Sequence, residues 1–137
     1  MMFRDAFMSK VFAVMKELKV GKYVMIDEEP CRIVGIQTSA PGKHGAAKMR
    51  VDAIGLFDGS KRNLLKPSDA DCEIPIIERK NGQVVSISGD TAQLMDLVSF
   101  ETFDARIPEE LKDKIADGKE VEYMETMGRR LLQRIRE

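Results

Sequence analysis

Apolar and polar residues alternate along most of this chain in short runs, a pattern that is typical of β-strands rather than helices. In the first half the runs span residues 22–26, 31–38, 49–57 and 63–67. Residues 27–30 and the pair Asp58-Gly59 carry turn-forming residues between these runs. The pattern predicts a meander of about five short strands with one long loop at residues 39–48, which is the arrangement of a small barrel.

A second series of alternating runs begins after the polar stretch 67–73. The runs span residues 73–79, 84–88, 91–97, 100–107, 119–127 and 129–135. Asn81-Gly82 and Gly89-Asp90 predict tight turns between the early runs of this series. The series fits a five-stranded barrel of the OB type, so we expect an all-β protein.

One short helix is predicted within the second series. Pro108 followed by acidic residues is typical of a helix start, and Gly118 stands just past the expected helix end. The change in composition near residues 70–73 predicts a boundary between two small barrels. We therefore assign residues 1–72 to an amino-terminal domain and residues 73–137 to a carboxyl-terminal domain.

The amino end contains apolar residues at every fourth position, Phe3, Phe7, Val11 and Met15, a spacing compatible with a short helix. Two charged residues interrupt its apolar run and no small-residue cleavage site follows, so we do not interpret it as a secretion signal. No apolar run approaches the ~20 residues that a membrane span requires. The expectation is a cytoplasmic protein without a membrane partner.

Charge is unevenly distributed along the chain. Residues 1–70 carry 12 lysines and arginines against 8 acidic residues, whereas residues 71–137 carry 10 against 15. A basic half suggests a polyanionic partner for the first barrel, with chance segregation in a small protein as the alternative.

Cys31 and Cys72 stand 41 positions apart without a CxxC pair, which indicates two reduced buried thiols and no metal site.

The loop SAPGKHGAAK (39–48) places Lys43 beside the chain's single histidine, His44. The loop does not match a phosphate-binding Walker motif, because Gln37 stands where the first glycine is needed and His44 where Ser or Thr is needed. A lysine between Gly42 and Gly45 at a loop tip should be solvated and charged, which makes it a poor nucleophile. We therefore do not expect an enzyme.

RNA contact is a further hypothesis for this loop. Four basic side chains lie in it or just after it: Lys43, His44, Lys48 and Arg50. The flanking glycines permit close backbone approach to a ligand. Aromatic residues make up 6% of the chain and Trp is absent, so stacking platforms for bases are not evident. A solvated hairpin tip with incidental charges is the alternative.

The arginine-rich run at residues 129–135 permits two interpretations. It is either a phosphate-contacting strand or a charged edge strand that resists pairing with other molecules, and we favour the edge strand.

Several segments together resemble the translation factor 5A family of archaea and eukaryotes, whose bacterial relative is elongation factor P. The segments are VMID (24–27), EPCR (29–32), TSAPGKHGAAK (38–48), FDGSKR (57–62) and GDTAQLMD (89–96). The resemblance covers most of the chain from about residue 16. It implies an amino-terminal SH3-like barrel followed by an OB-fold.

The resemblance also implies a function. Lys43 matches the lysine to which deoxyhypusine synthase transfers an aminobutyl group from spermidine, giving deoxyhypusine or hypusine. The protein would then be the substrate of an enzyme, with no cofactor of its own. Its implied partner is the ribosome, including rRNA and the acceptor end of peptidyl-tRNA, and not DNA. There the modified side chain would promote peptide-bond formation on stalled sequences such as proline runs.

Within the loop, the resemblance implies that Pro41, Gly42, His44 and Gly45 present the modified lysine, and that Lys48 and Arg50 join Lys43 and His44 in RNA contact. Many relatives have lysine where this chain has Ala40. The competing hypothesis is a general RNA-binding OB-fold protein in which Lys43 stays unmodified.

Overall fold

The computed structural model describes residues 9–39 and 47–136. The chain divides into two units, one ending at Ile76 and the other beginning at Ile77. This division lies four residues beyond the predicted boundary at 72/73, because residues 71–75 form a strand that pairs within the first unit. Among the described residues, no helix has the length and apolar character needed to cross a membrane.

The first unit consists of two antiparallel sheets. Its elements are β1 (Lys10–Val14), a 3₁₀ turn (Met15–Glu17), β2 (Tyr23–Ile26), β3 (Glu29–Thr38), β4 (Lys48–Gly55), β5 (Lys61–Pro67) and β6 (Asp71–Pro75). Strands β2 to β5 form a four-stranded sheet in chain order, and β1 pairs with β6. The two sheets enclose one core, in agreement with the SH3-like barrel expected from the resemblance.

Strict alternation in β4 explains how the first core is built. Met49, Val51 and Ala53 are buried, whereas Lys48 and Arg50 are exposed on the opposite face. The buried members of the core are Met15, Leu18, Val24, Ile26, Cys31, Ile33, Met49, Val51, Ala53 and Cys72. The two cysteines are free and buried as predicted, and burial raises the pKa of each thiol.

The possible helix at the amino end is wrong for the residues that the structure describes. Val11 lies in strand β1, which pairs with β6 from Lys10↔Pro75 to Val14↔Asp71. Val11 is 50% exposed and therefore does not mark a buried helix face. Backbone pairing with a strand some 60 residues later decides the structure, which a local period cannot indicate. Phe3 and Phe7 lie outside the described residues.

The second unit is a closed five-stranded barrel. Its elements are β7 (Glu78–Ser88), β8 (Thr91–Asp96), β9 (Thr102–Arg106), a 3₁₀ turn (Glu109–Leu111), β10 (Glu120–Thr126) and β11 (Arg129–Ile135). The strand order is β10-β11-β9-β8-β7, closed by pairing of β7 with β10, and β11 runs parallel to β9. This confirms the predicted OB-type barrel. The predicted helix begins where expected, after Pro108, but it is a single 3₁₀ turn that ends at Leu111 and does not extend to Gly118.

The predicted turn at Asn81-Gly82 is wrong, because both residues lie inside the 11-residue strand β7. Gly82 is buried there and pairs with Asp96. A Cβ at position 82 would stand 3.1 Å from the Met95 carbonyl oxygen and 3.4 Å from the Tyr123 ring. The glycine therefore serves close packing against Tyr123 rather than a change of chain direction. The turn at Gly89-Asp90 is confirmed.

The predicted edge strand at residues 129–135 is also wrong, because β11 is bonded on both sides by β10 and β9. Its Arg130 lies over the Phe103 ring at 4.6 Å. Arg130 Nε is also 2.8 Å from Glu125 Oε2, an ion pair whose N–H is not aligned for a hydrogen bond. These contacts join the strands of the barrel.

Candidate functional site

The loop singled out by the sequence connects β3 to β4 in the first unit. The five residues predicted to carry or present the modification, Pro41, Gly42, Lys43, His44 and Gly45, lie outside the described residues. The structure describes the two ends of this connection up to residue 39 and from residue 47.

Backbone hydrogen bonds fix both ends of the connection. The Ser39 N–H donates to the Lys48 carbonyl oxygen at 2.9 Å, and the Ser39 hydroxyl donates to the same oxygen at 3.3 Å. On the other side, the Ser68 N–H donates to the Ala47 carbonyl oxygen at 2.7 Å. The adjoining Met49 pairs with Thr38 and is 4% exposed. The seven residues 40–46 therefore begin and end on a well-bonded part of the sheet.

Lys48 and Arg50, the two described members of the predicted RNA-contacting set, lie on the same exposed face of β4. The Arg50 side chain is 53% exposed, and its Nε is 3.1 Å from Asp52 Oδ1, a carboxylate on the same face. Such a solvated ion pair is weak, so Arg50 can exchange Asp52 for another anion. Lys48 and Arg50 therefore present two positive charges to solvent on this face, while Lys43 and His44 of the predicted set lie outside the described residues.

Two further cations on this face were missed by the sequence analysis. Arg32 in β3 and Lys61 in β5 are exposed and both pair with Ile54, which shares the face of Lys48 and Arg50. Alternation within each strand indicates which side chains point outward. The register between strands, which places these side chains next to one another, cannot be read from the sequence. A bulge at residues 33–35 shifts β3 against β4, and a shift of one residue reverses the faces.

The opposite end of β4 is held by an ion pair in the β4–β5 turn. Arg62 Nη1 and Nη2 donate to the two carboxylate oxygens of Asp58 at 3.0 and 2.8 Å, and the Ser60 N–H donates to Asp58 Oδ1 at 3.0 Å. The Arg62 guanidinium holds the pKa of the Asp58 carboxyl well below its usual range. The pair packs against Gly55, where a side chain would overlap both groups. The FDGSKR segment thus fixes the sheet end remote from the loop.

The second unit offers a different kind of surface. A shallow concavity of about 460 Å³ lies on its β7–β8–β9 face and is lined by Ser86, Ser88, Thr91, Gln93 and Asp104. These side chains are hydroxyls, one amide and one carboxylate, without a cation or an aromatic ring. The concavity therefore lacks the groups that usually hold single-stranded nucleic acid.

Comparisons with known proteins match both units. Residues 11–70 match a family model described as translation initiation factor 5A-like, N-terminal. Residues 76–136 match one described as eukaryotic elongation factor 5A hypusine, DNA-binding OB fold.

Proteins named translation initiation factor 5A match this chain over most of its length and most of their own. Translation initiation factor 5A of Methanocella arvoryzae is 61% identical over 83% of this chain and 89% of its own. The Methanopyrus kandleri factor is 56% identical over 89% and 91% of the two chains. A solved structure from Methanococcus jannaschii, entitled eukaryotic translation initiation factor 5A, is 44% identical, covers 94% of this chain and 96% of its own, and has a TM-score of 0.86.

These relatives match both units in sequence, and the archaeal structure matches the two-barrel fold. The chain belongs to the translation initiation factor 5A family and is a translation factor.

Proposed function

We propose that this protein binds the ribosome beside peptidyl-tRNA and acts through Lys43 after its conversion to deoxyhypusine or hypusine. The extended side chain reaches the tRNA acceptor end and promotes peptide-bond formation where translation stalls, for example at proline runs. The protein is the substrate of deoxyhypusine synthase, and its action is positional rather than enzymatic.

The clamped base of the β3–β4 connection is the observation that carries this proposal. Hydrogen bonds at Ser39, Ala47 and Lys48 hold the ends of residues 40–46 on a sheet with a buried core behind it. A side chain that acts by positioning a reactant needs a rigid attachment, because a small displacement of the reacting groups lowers the reaction rate steeply. Lys43 stands in the middle of this seven-residue connection.

The chemistry of the modification fits the sequence of the connection. Aminobutyl transfer joins a four-carbon chain to Lys43 Nζ and gives a longer side chain with two protonatable nitrogens. Such a side chain donates hydrogen bonds to phosphate and sugar oxygens. Gly42 and Gly45 allow the backbone to pass close to the modifying enzyme and then to RNA. The description of the family model that matches residues 76–136 contains the word hypusine, which supports a hypusine-containing factor, and the choice of Lys43 rests on the resemblance of the loop.

The cations beside the connection support an RNA partner. Lys48 follows the connection directly and Arg50 lies two residues further on the same exposed face. Both would meet phosphate when the loop enters an RNA cleft, and neither is needed to fill the core.

General RNA binding through the OB-fold with unmodified Lys43 has weaker support. OB-folds that bind oligonucleotides use the face of their second and third strands, here β8 and β9. The described outward residues of these strands include Gln93 and Asp104, and none of them is aromatic. This face would hold bases poorly.

The proposal predicts that Lys43→Arg abolishes rescue of proline-stalled translation while leaving the fold intact. Arginine keeps the positive charge but lacks the amine that accepts the aminobutyl group. Rescue is measured as full-length product from a reporter containing a proline run, in an extract depleted of the native factor. Mass analysis of the Lys43 peptide from native protein should show the aminobutyl increment.

Lys119→Arg is the matched control, because Lys119 is exposed and lies in the second unit. This variant should rescue as well as the unaltered protein. Full rescue by Lys43→Arg, or an unmodified Lys43 peptide in native protein that rescues fully, would contradict the proposal.

A further inference from the structure

The exposed face of the four-stranded sheet in the first unit carries an excess of positive charge beyond the loop. Strands β3, β4 and β5 place their outward side chains in register across it. The cations on this face are Arg32, Lys48, Arg50 and Lys61, which we call the outer basic face. Asp52 is the carboxylate among them.

The register gives the outer basic face its dimensions. Lys48 and Arg50 lie at the loop end of β4, and Arg32 and Lys61 flank Ile54 at the other end. With a strand rise of about 3.4 Å per residue, these two ends are roughly 20 Å apart. The cations therefore form a strip that starts at the base of the loop and runs along the sheet.

Most of these cations are available to an external anion. Among the described residues, no carboxylate lies within ion-pairing distance of Arg32, Lys48 or Lys61. Arg50 is held by Asp52 at 3.1 Å, with both side chains more than one-third exposed. The face thus presents three cations at once and a fourth that Asp52 restrains.

The polar outward residues favour RNA over an acidic protein. Gln37 and Asn63 lie on the same face, in the rows of Arg50 and Asp52, beside one exposed apolar side chain, Leu65, which pairs with Arg50. Arg, Lys, Asn and Gln side chains are those that contact phosphate and sugar oxygens. The centres of protein–protein interfaces are instead poor in charge and rich in aromatic residues. The middle of this face is the row Gly35, Asp52 and Asn63.

We infer that the outer basic face is a second RNA-binding surface, which tracks a phosphate backbone away from the Lys43 loop, and that Asp52 weakens this binding by engaging Arg50. The inference rests on the proposed function for its choice of RNA among polyanions. It assigns Arg32 and Lys61, which lie remote from the loop, a direct role in affinity that is independent of the modification.

The test uses the full-length, unmodified protein and a 12-base-pair RNA hairpin, with affinity measured by fluorescence anisotropy at several salt concentrations. Each phosphate contact contributes about 0.9 to the slope of log affinity against log salt. The double variant Arg32→Gln with Lys61→Gln should reduce this slope by up to about 2 and weaken binding on the order of tenfold per contact at 0.1 M salt. Asp52→Asn should strengthen binding several-fold.

The controls make the same chemical changes in the second unit. Lys114→Gln with Lys119→Gln and, separately, Asp104→Asn alter exposed residues and should leave the slope unchanged. All variants change exposed side chains, and thermal melts verify that they are folded.

Three results would overturn the inference: no hairpin binding by the unaltered protein, an unchanged slope in the Arg32 and Lys61 double variant, or equal competition by polyglutamate of the same charge. Failure of the proposed function is distinguishable, since it removes stall rescue by the modified protein without altering hairpin affinity. Lys43→Arg should accordingly keep the slope contributed by Arg32 and Lys61.

Discussion

At the scale of single residues, two glycines in the same sheet have different reasons for being glycine. Gly55 supports the Asp58–Arg62 ion pair, which packs directly on its Cα. Gly35 lies in the bulge of β3, and a Cβ there would find its nearest neighbours in the Asp52 side chain at 3.9 Å. Neither residue has a positive φ, so the two positions differ in the space available for a side chain and not in backbone conformation.

Gly55→Ala is therefore expected to lower the free energy of unfolding by about 1–3 kcal/mol, because the new methyl group displaces Asp58 and Arg62. Gly35→Ala should change stability by less than about 1 kcal/mol, and in the favourable direction. Urea unfolding of the two variants gives the comparison. Equal effects of the two substitutions would show that the ion pair does not constrain position 55.

At the scale of elements, Asp96 ties the turn after β8 to strand β10. Its Oδ2 accepts a hydrogen bond from the Tyr123 hydroxyl at 2.5 Å, and its Oδ1 accepts from the Val98 and Ser99 N–H groups at 2.8 Å each. Asp96 is 6% exposed and Tyr123 1%. The Tyr123 hydrogen bond, with those of the turn, lowers the pKa of Asp96 to about 2.

A depressed carboxyl pKa means that ionised Asp96 stabilises the second unit above about pH 4, where the unfolded chain is also ionised, and that this stability is lost as the pH falls through about 2. The loss should amount to about 2 kcal/mol. Asp96→Asn should be less stable at neutral pH and should lack this part of the pH dependence.

The chain has two tyrosines and no Trp, so a Tyr23→Phe background makes Tyr123 the fluorescent reporter of the second unit. Urea unfolding is followed in that background between pH 5 and pH 2. Asp104→Asn, exposed on β9, is the matched control and should retain the pH dependence. An Asp96→Asn variant with the full acid sensitivity would contradict this role for Asp96.

Most strands could be predicted because alternation is a local property of the sequence. The run 31–38 lies within β3, the run 49–57 overlaps β4, and the run 91–97 covers β8. The errors arose where distant contacts decide the outcome. Gly82 packs beneath Tyr123 inside a strand, and β1 exists through its pairing with β6. Neither contact is indicated by the residues that are adjacent in sequence.

The candidate site was predictable in part for the same reason. Lys48 and Arg50 follow the loop in sequence and were found there. Arg32 joins them through the β3–β4 register, which depends on a bulge in β3, and Lys61 joins them through the pairing of β4 with β5. The role of Lys43 rests on resemblance, since a solvated lysine between glycines has no chemical signature of its own until it is modified.

At the scale of the whole molecule, the two units divide charge between them. The first unit contains the Lys43 connection and the outer basic face, whereas the OB-type unit has the larger share of the acidic residues. An RNA-rich partner should attract the first unit and orient the protein before close contact forms. We propose that this orientation brings the modified Lys43 to the tRNA acceptor end.

The most direct test is the rate of peptide-bond formation at a proline run on ribosomes from the native organism. It compares the protein before and after treatment with deoxyhypusine synthase and spermidine. We expect the modified form to accelerate this step by about tenfold or more over the unmodified form, as positioning effects of this kind allow, with little change at ordinary codons. Equal rates with the two forms would contradict the account.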